Sequence, residues 1–151
     1  MDVTVRRGEA ADARAAADLW LRSRKAFPEA IPAPVHSDDE VRGWFASHVV
    51  RNLELWLAET QAGRLVGILV LDGEWINQLY VDPDRLRCGI GSRLVQVAKR
   101  KRPSCLRLWT FVSNSPAQWF YQRHGFVEVE RTDGSGNEEQ SPDIQLAYVP
   151  R

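Results

Sequence analysis

Leu79-Tyr80-Val81-Asp82-Pro83-Asp84-Arg85-Leu86-Arg87-Cys88-Gly89-Ile90-Gly91-Ser92-Arg93-Leu94 is the stretch whose reading decides the fold. An apolar strand runs into a glycine-bounded turn, which opens directly onto an amphipathic helix. That order makes a phosphate cradle. Gly89 and Gly91 carry no Cβ, so backbone can approach a ligand closely. The first N–H groups of the following helix lack internal partners, and the helix dipole favours anions there. A pyrophosphate-bearing cofactor suits such a site, although a tight turn into a helix would read the same way. Two other nucleotide motifs are excluded. A dinucleotide fingerprint wants a third small residue where Leu94 stands. A P-loop wants Gly-Lys-Ser/Thr, and the chain has Gly91-Ser92-Arg93.

A second segment, Asn114-Ser-Pro-Ala-Gln-Trp-Phe-Tyr-Gln-Arg-His-Gly-Phe126, reads as a helix and its exit. Ser115 and Gln118 have capping-box spacing, and Pro116 suits the first helical position. Ala117, Phe120, Tyr121 and His124 recur on one helix face, and Gly125 stops the helix before Phe126 begins a strand. Tyr121 thus sits on a packed face with a hydroxyl that needs a partner. It is either a core tyrosine bonded to backbone or a working one.

The first segment resembles motif A of the GNAT-type N-acetyltransferases, and the second resembles their motif B. Val81-Asp82-Pro83 and Gly89-Ile90-Gly91 match the first pattern; its Arg/Gln position falls on Leu86, a departure that neighbouring Arg87 or the backbone amides would have to make good. Asn114, Ala117, Phe120, Tyr121, Gly125 and Phe126 match the second in register. The order of elements from Val3 to Tyr148 fits as well, so the resemblance spans a single domain, residues 1–151. It implies an α+β GNAT fold: a mixed, mostly antiparallel central sheet of about seven strands flanked by about four helices. The two central strands, Trp75–Val81 and Leu106–Phe111, would splay apart to admit the pantetheine arm.

The chain pass agrees. Val3 to Arg6 reads as a strand and Asp12 to Phe27 as a helix with Ala16, Trp20, Ser23 and Phe27 on one face. Pro28, Pro32 and Pro34 impose an irregular connector. Ser37-Asp-Asp-Glu40 is a capping-box start for a second helix, whose buried stripe is Val41, Trp44, Phe45, His48 and Val49. Leu55–Glu59 and Leu65–Leu71 read as paired strands, followed by the hairpin signal Asp72-Gly73. Phe126–Thr132 and Ile144–Tyr148 close the sheet around a polar loop, Asp133–Asp143.

Composition bounds the class. With 151 residues, 44% hydrophobic and 26% charged, the chain has the make-up of one soluble globule. No apolar run nears the ~20 residues of a membrane span, and the first residues carry no signal-peptide core, so a cytoplasmic protein is expected. Cys88 and Cys105 lack metal or redox spacing, and no metal is expected. Formal charge is zero, but Arg85, Arg87, Arg93, Lys99, Arg100, Lys101 and Arg102 gather around the cradle and its helix, which suits coenzyme A phosphates. No basic stripe with interleaved aromatics supports nucleic-acid binding. A monomer or homodimer fits equally.

By resemblance, the cofactor is acetyl-CoA and the reaction is acetyl transfer to a primary amine of a small molecule or protein, by direct attack in a ternary complex. The alternative is a non-catalytic acyl-CoA-binding, sensing module. Backbone of Leu79, Tyr80 and Val81 would contact pantetheine and supply the oxyanion donor. Arg87, Cys88, Gly89, Ile90, Gly91 and Ser92 would hold the pyrophosphate, and Asn114 would contact pantetheine. Tyr121 matches the tyrosine that protonates the leaving sulfur. Glu74 is the carboxylate nearest the usual position of a general base, which Trp75 occupies; Glu138, Glu139, His36 and a water relay are its rivals. The acidic loop around Glu138 and Glu139 would border the acceptor mouth and draw in a cationic amine.

Overall fold

The computed structural model describes residues 3–150. Its centre is a seven-stranded sheet in the order β1-β2-β3-β4-β5-β7-β6, where β1 is Val3–Arg7, β2 Glu54–Thr60, β3 Leu65–Asp72, β4 Trp75–Val81, β5 Leu106–Phe111, β6 Val127–Thr132 and β7 Asp143–Tyr148. β1 to β4 form an antiparallel run, as do β5, β7 and β6. The two runs meet where β4 and β5 lie parallel, and their pairing is confined to Trp75 opposite Arg107. One bond, from Arg107 N to Glu74 O at 2.9 Å, closes that end. Beyond it the strands part, which is the splay that the family resemblance implies.

Four helices cover the two faces. α1 (Ala13–Ala26) and α2 pack on one; α3 (Ile90–Lys101) and α4 (Ser115–Arg123) pack on the other. α2 begins as Asp38–Trp44, widens into a π turn over Phe45–Val49 and ends at Val50–Asn52. Ser37 and Glu40 form the expected capping box: Glu40 N donates to Ser37 Oγ at 3.2 Å, and Ser37 N donates to Glu40 Oε1 at 2.9 Å. The π turn adds a residue to the helical repeat. It keeps Val41, Phe45 and Val49 buried but turns His48 out to solvent, against the expected stripe. Phe27 also departs from expectation. α1 ends at Ala26, and Phe27 is exposed beyond it.

The core splits along the sheet. Leu69, Leu71, Ile76, Leu94, Val95, Leu108, Tyr121 and Phe126 pack on the α3/α4 side. Leu19, Trp20, Phe45, Leu57, Ile68 and Val70 pack on the α1/α2 side. Burying each large side chain contributes roughly 1.5–3 kcal/mol. β4 carries an extra residue, Asn77, between Ile76 opposite Leu71 and Gln78 opposite Val70. This bulge resets the alternation, so that Leu79 and Val81 face α3 and α4 while Tyr80 faces α1.

Candidate active site

The strand end of motif A is pinned by a residue that the sequence reading passed over. Asp82 is buried, accepts from Asp84 N at 3.0 Å and from Arg64 Nη2 at 3.0 Å, and lies 3.5 Å from Arg22. Burial pushes its carboxyl up; the Asp84 amide and the two guanidinium groups outweigh that and hold it below the ordinary carboxylate value. Asp82 N also bonds to Val66 O at 2.9 Å, fixing the turn on β3.

Past this point the backbone curls into α3. Arg87 and Gly89 both take positive φ, 63° and 80°. α3 has no side-chain cap, and its first helical bond runs from Arg93 N to Gly89 O at 3.1 Å. The amides of Ile90, Gly91 and Ser92 are therefore left without helical partners. A Cβ at Gly89 would stand in open space, whereas one at Gly91 would meet the Phe120 ring at 3.1 Å. The two glycines thus differ. Gly89 shapes the turn at the cradle, and Gly91 lets α3 pack closely on α4.

The expected basic cluster is largely dispersed into structure. Arg93 donates to Val3 O, Lys99 to His124 O at 2.7 Å, and Arg102 to Gly73 O and Glu54. Arg87 and Cys88 are exposed on the cradle, and Leu86, at the Arg/Gln position, is exposed as well. The Ser92 hydroxyl is engaged by His124 Nε2 at 3.1 Å, leaving its amide for a ligand. Asn114, and not Ser115, caps α4: its Oδ1 accepts from Ala117 N at 3.3 Å. Gln118 folds back onto the carbonyls of Phe111 and Val112 at 3.1 and 2.8 Å.

Tyr121 comes from α4 to the edge of the splay. Its ring packs edge-on to Phe120 and Phe126, with centroids 5.1 and 5.4 Å away. Burial, reinforced by Tyr80 nearby, holds its phenol well above the ordinary value. No group among the described residues hydrogen-bonds its hydroxyl, and that hydroxyl is not sealed from solvent. Among them, only Arg24 Nε is both fully buried and unpartnered. Tyr80 lies against Trp20 at 6.2 Å, and burial raises its phenol too, partly offset by Arg24. The backbone of Leu79, Tyr80 and Val81 forms the β4 side of the splay. Every second N–H of a strand points to each neighbour, and past Trp75 no β5 carbonyl takes up those facing it.

Glu74 is not brought to Tyr121. It is exposed at the closed end, 3.4 Å from Arg107, and six residue steps along the strand, roughly 20 Å, separate it from Tyr80. The acidic loop does reach the splay, but its two glutamates are paired. Glu139 Oε2 accepts from Arg24 Nη2 at 3.1 Å, and Glu138 lies 3.2 Å from His36 Nε2. Glu138 raises the His36 pKa, so this outer contact weakens as pH climbs through that raised value. Arg24 escaped the sequence reading because a charge argued for solvent. It is buried, stacked on Trp20 at 4.7 Å, and donates to Pro32 O at 3.1 Å. Its position four residues after Trp20 was the available signal. The loop and β5 together enclose a cavity of about 640 Å³ lined by Trp109, Phe111, Asn137, Glu139 and Asp143.

An uncapped helix start, an open face at Gly89, unpaired β4 amides and a free phenol make a long, phosphate-bearing acyl donor fit. The comparisons agree. The family described as "Acetyltransferase (GNAT) domain" matches residues 51–128, and the chain belongs to that family. It is an acyltransferase that uses acetyl-CoA to acetylate an amine. Peptidyl-lysine N-acetyltransferase YjaB of Escherichia coli is 29% identical over 153 residues, covering 99% of each chain. The solution structure of apo-form YjaB superposes with a TM-score of 0.79 at 26% identity, covering 100% of both chains. The fold also matches PaiA N-acetyltransferase from Thermoplasma acidophilum, solved with coenzyme A, at a TM-score of 0.73 and 20% identity, over 99% of this chain and 100% of that one. Among the described residues no group of ligating side chains could hold a metal ion, and no helix is long and apolar enough to cross a membrane.

Proposed function

We propose that residues 1–151 act as one domain that acetylates the ε-amino group of lysine side chains in proteins, within the cytoplasm. Full-length similarity to a peptidyl-lysine enzyme supports the acceptor. The two free thiols, Cys88 and Cys105, fit a reducing compartment. When bound, acetyl-CoA supplies an acetyl group activated as a thioester. The amides of Ile90, Gly91 and Ser92 would hold its pyrophosphate, with Arg87 and Cys88 at the edge. The free β4 amides among Leu79, Tyr80 and Val81 would serve as donors to its carbonyl oxygen. Asn114 fixes the start of α4 and so the approach of Tyr121.

The observation that carries the mechanism is the unpartnered hydroxyl of Tyr121. A core tyrosine would spend that hydroxyl on backbone; this one is kept protonated and available, as a general acid for the departing sulfur must be. Glu74 stands too far off to serve as base, and Glu138 and Glu139 are engaged by cations. The attacking amine therefore gives its proton to water at the open mouth. A binding-only module is not favoured, because it has no use for a free acid in the splay. Thiol release from acetyl-CoA with a lysine peptide tests the assignment. Wild type should turn over, and Tyr121→Phe should lose about 10²-fold in kcat with donor affinity intact. Full activity in Tyr121→Phe would remove the tyrosine from the chemistry.

A further inference from the structure

The cavity beside the splay has a chemistry that the transfer reaction does not use. Its β5 wall is Trp109, 42% exposed although central in the sheet order. Trp75 stacks beside it, parallel within 3° with ring centres 6.5 Å apart, which fixes the indole in place. On the neighbouring strand, diagonal to Trp109 on the same face, stands Asp143, at the start of β7 and paired with Phe111. Asp143 is half-buried, and its partners are neutral: the Thr132 hydroxyl, and Asn137 Nδ2 at 3.1 Å. No Lys, Arg or His among the described residues forms an ion pair with it. Its neighbour in the wall, Glu139, is instead neutralised by Arg24. An exposed indole beside a carboxylate held by neutral donors, both lining one cavity, is an arrangement that recognises a cation. The ring quadrupole attracts it, and a half-buried carboxylate makes charge-assisted hydrogen bonds to charged donors.

We propose that this cavity is a specificity subsite for a basic residue, arginine or a second lysine, flanking the acceptor lysine, with Asp143 pairing its charge and Trp109 stacking on it. This rests on the protein-lysine reading above. The cavity adjoins the reacting end through Glu139, which borders the cavity and acts on Tyr80. A peptide whose lysine enters the splay thus lays its neighbours along β5 and the loop. The subsite favours basic sequence contexts and penalises acidic ones.

The test uses peptides carrying acetyl-lysine, the transfer product, with arginine scanned through the neighbouring positions and isosteric, uncharged citrulline as control. Titration calorimetry on the intact protein should show at least one arginine peptide binding about tenfold more tightly than its citrulline twin. Asp143→Asn should erase that preference. Trp109→Leu, at an exposed position where folding is safe, should cut it about threefold. The preference should also fade as salt rises. Equal binding of the arginine and citrulline peptides, no binding of either, or a preference that survives both variants would overturn the subsite. Transfer to the matching unmodified peptides is scored separately. Turnover indifferent to the flanking charge overturns the subsite and leaves lysine as acceptor. Lack of any transfer overturns the lysine reading, while the binding comparison still decides the subsite.

Discussion

In the proposed mechanism, Tyr121 concentrates the chemistry in one side chain. Its phenol is raised above its ordinary value of about 10, chiefly by burial. A raised pKa keeps the acid form present throughout the range in which an amine acceptor gains its free base. With water as proton acceptor, kcat/KM should climb with pH up to about 9 without levelling, and no alkaline fall should come from Tyr121 there. A plateau with an apparent pKa near 7 would instead reveal a dedicated base. Gly89 and Gly91 give a paired contrast. Gly89→Val places a Cβ on the open side of the cradle and a branched residue at φ 80°, so donor binding should be lost with modest destabilisation. Gly91→Val drives a side chain into Phe120, so its main effect should be a lowered Tm. Calorimetry with acetyl-CoA alongside thermal melts separates the two. Sequence spacing brought out Tyr121 and both glycines. It could not tell the glycines apart, because their difference lies in what stands across the gap, Phe120 from another helix in one case and open space in the other.

The elements were legible where local signals agree. β4 and β5 fall on the expected residues, since apolar runs and flanking turns bound them on both sides. The capping box of α2 was visible as Ser37 and Glu40, and Ser37→Ala should destabilise the protein by about 1 kcal/mol in urea melts. Glu40→Gln, which keeps an acceptor, should cost less. The start of α4 was misread by one residue because Asn114 and Ser115 are both good caps, and the choice fell to the one that bonds Ala117 N. His48 was placed inside because a regular 3.6-residue repeat puts it there. The π turn at Phe45–Val49, which has no marker in the sequence, rotates it outward.

On the scale of the whole molecule, two half-sheets joined at Trp75 and Arg107 leave the splay, and the acidic loop is fastened across its mouth by Arg24 and Glu139. The splay came from the family resemblance that the two motifs carry. The fastening was not legible, since it joins residues 115 apart and needs a buried arginine. The sequence favoured a solvated loop whose carboxylates meet the amine; instead Glu139 faces a cation from its own chain. Removing Glu139 strands Arg24 in the interior, so Glu139→Ala should lower stability by up to about 3 kcal/mol. Arg24→Met/Glu139→Met together should recover much of that, because neither charge is left alone. Urea unfolding of the single and double variants would show it, and additive losses would mean that the pair is not coupled. The central claim is that this chain moves acetyl from acetyl-CoA to lysine side chains through the free phenol of Tyr121. The most direct measurement is mass spectrometry of a lysine peptide incubated with acetyl-CoA and either wild type or Tyr121→Phe. The account predicts one acetyl group on the lysine Nε, formed about 10²-fold more slowly by the variant. An unmodified peptide, or equal rates from the two proteins, would contradict it.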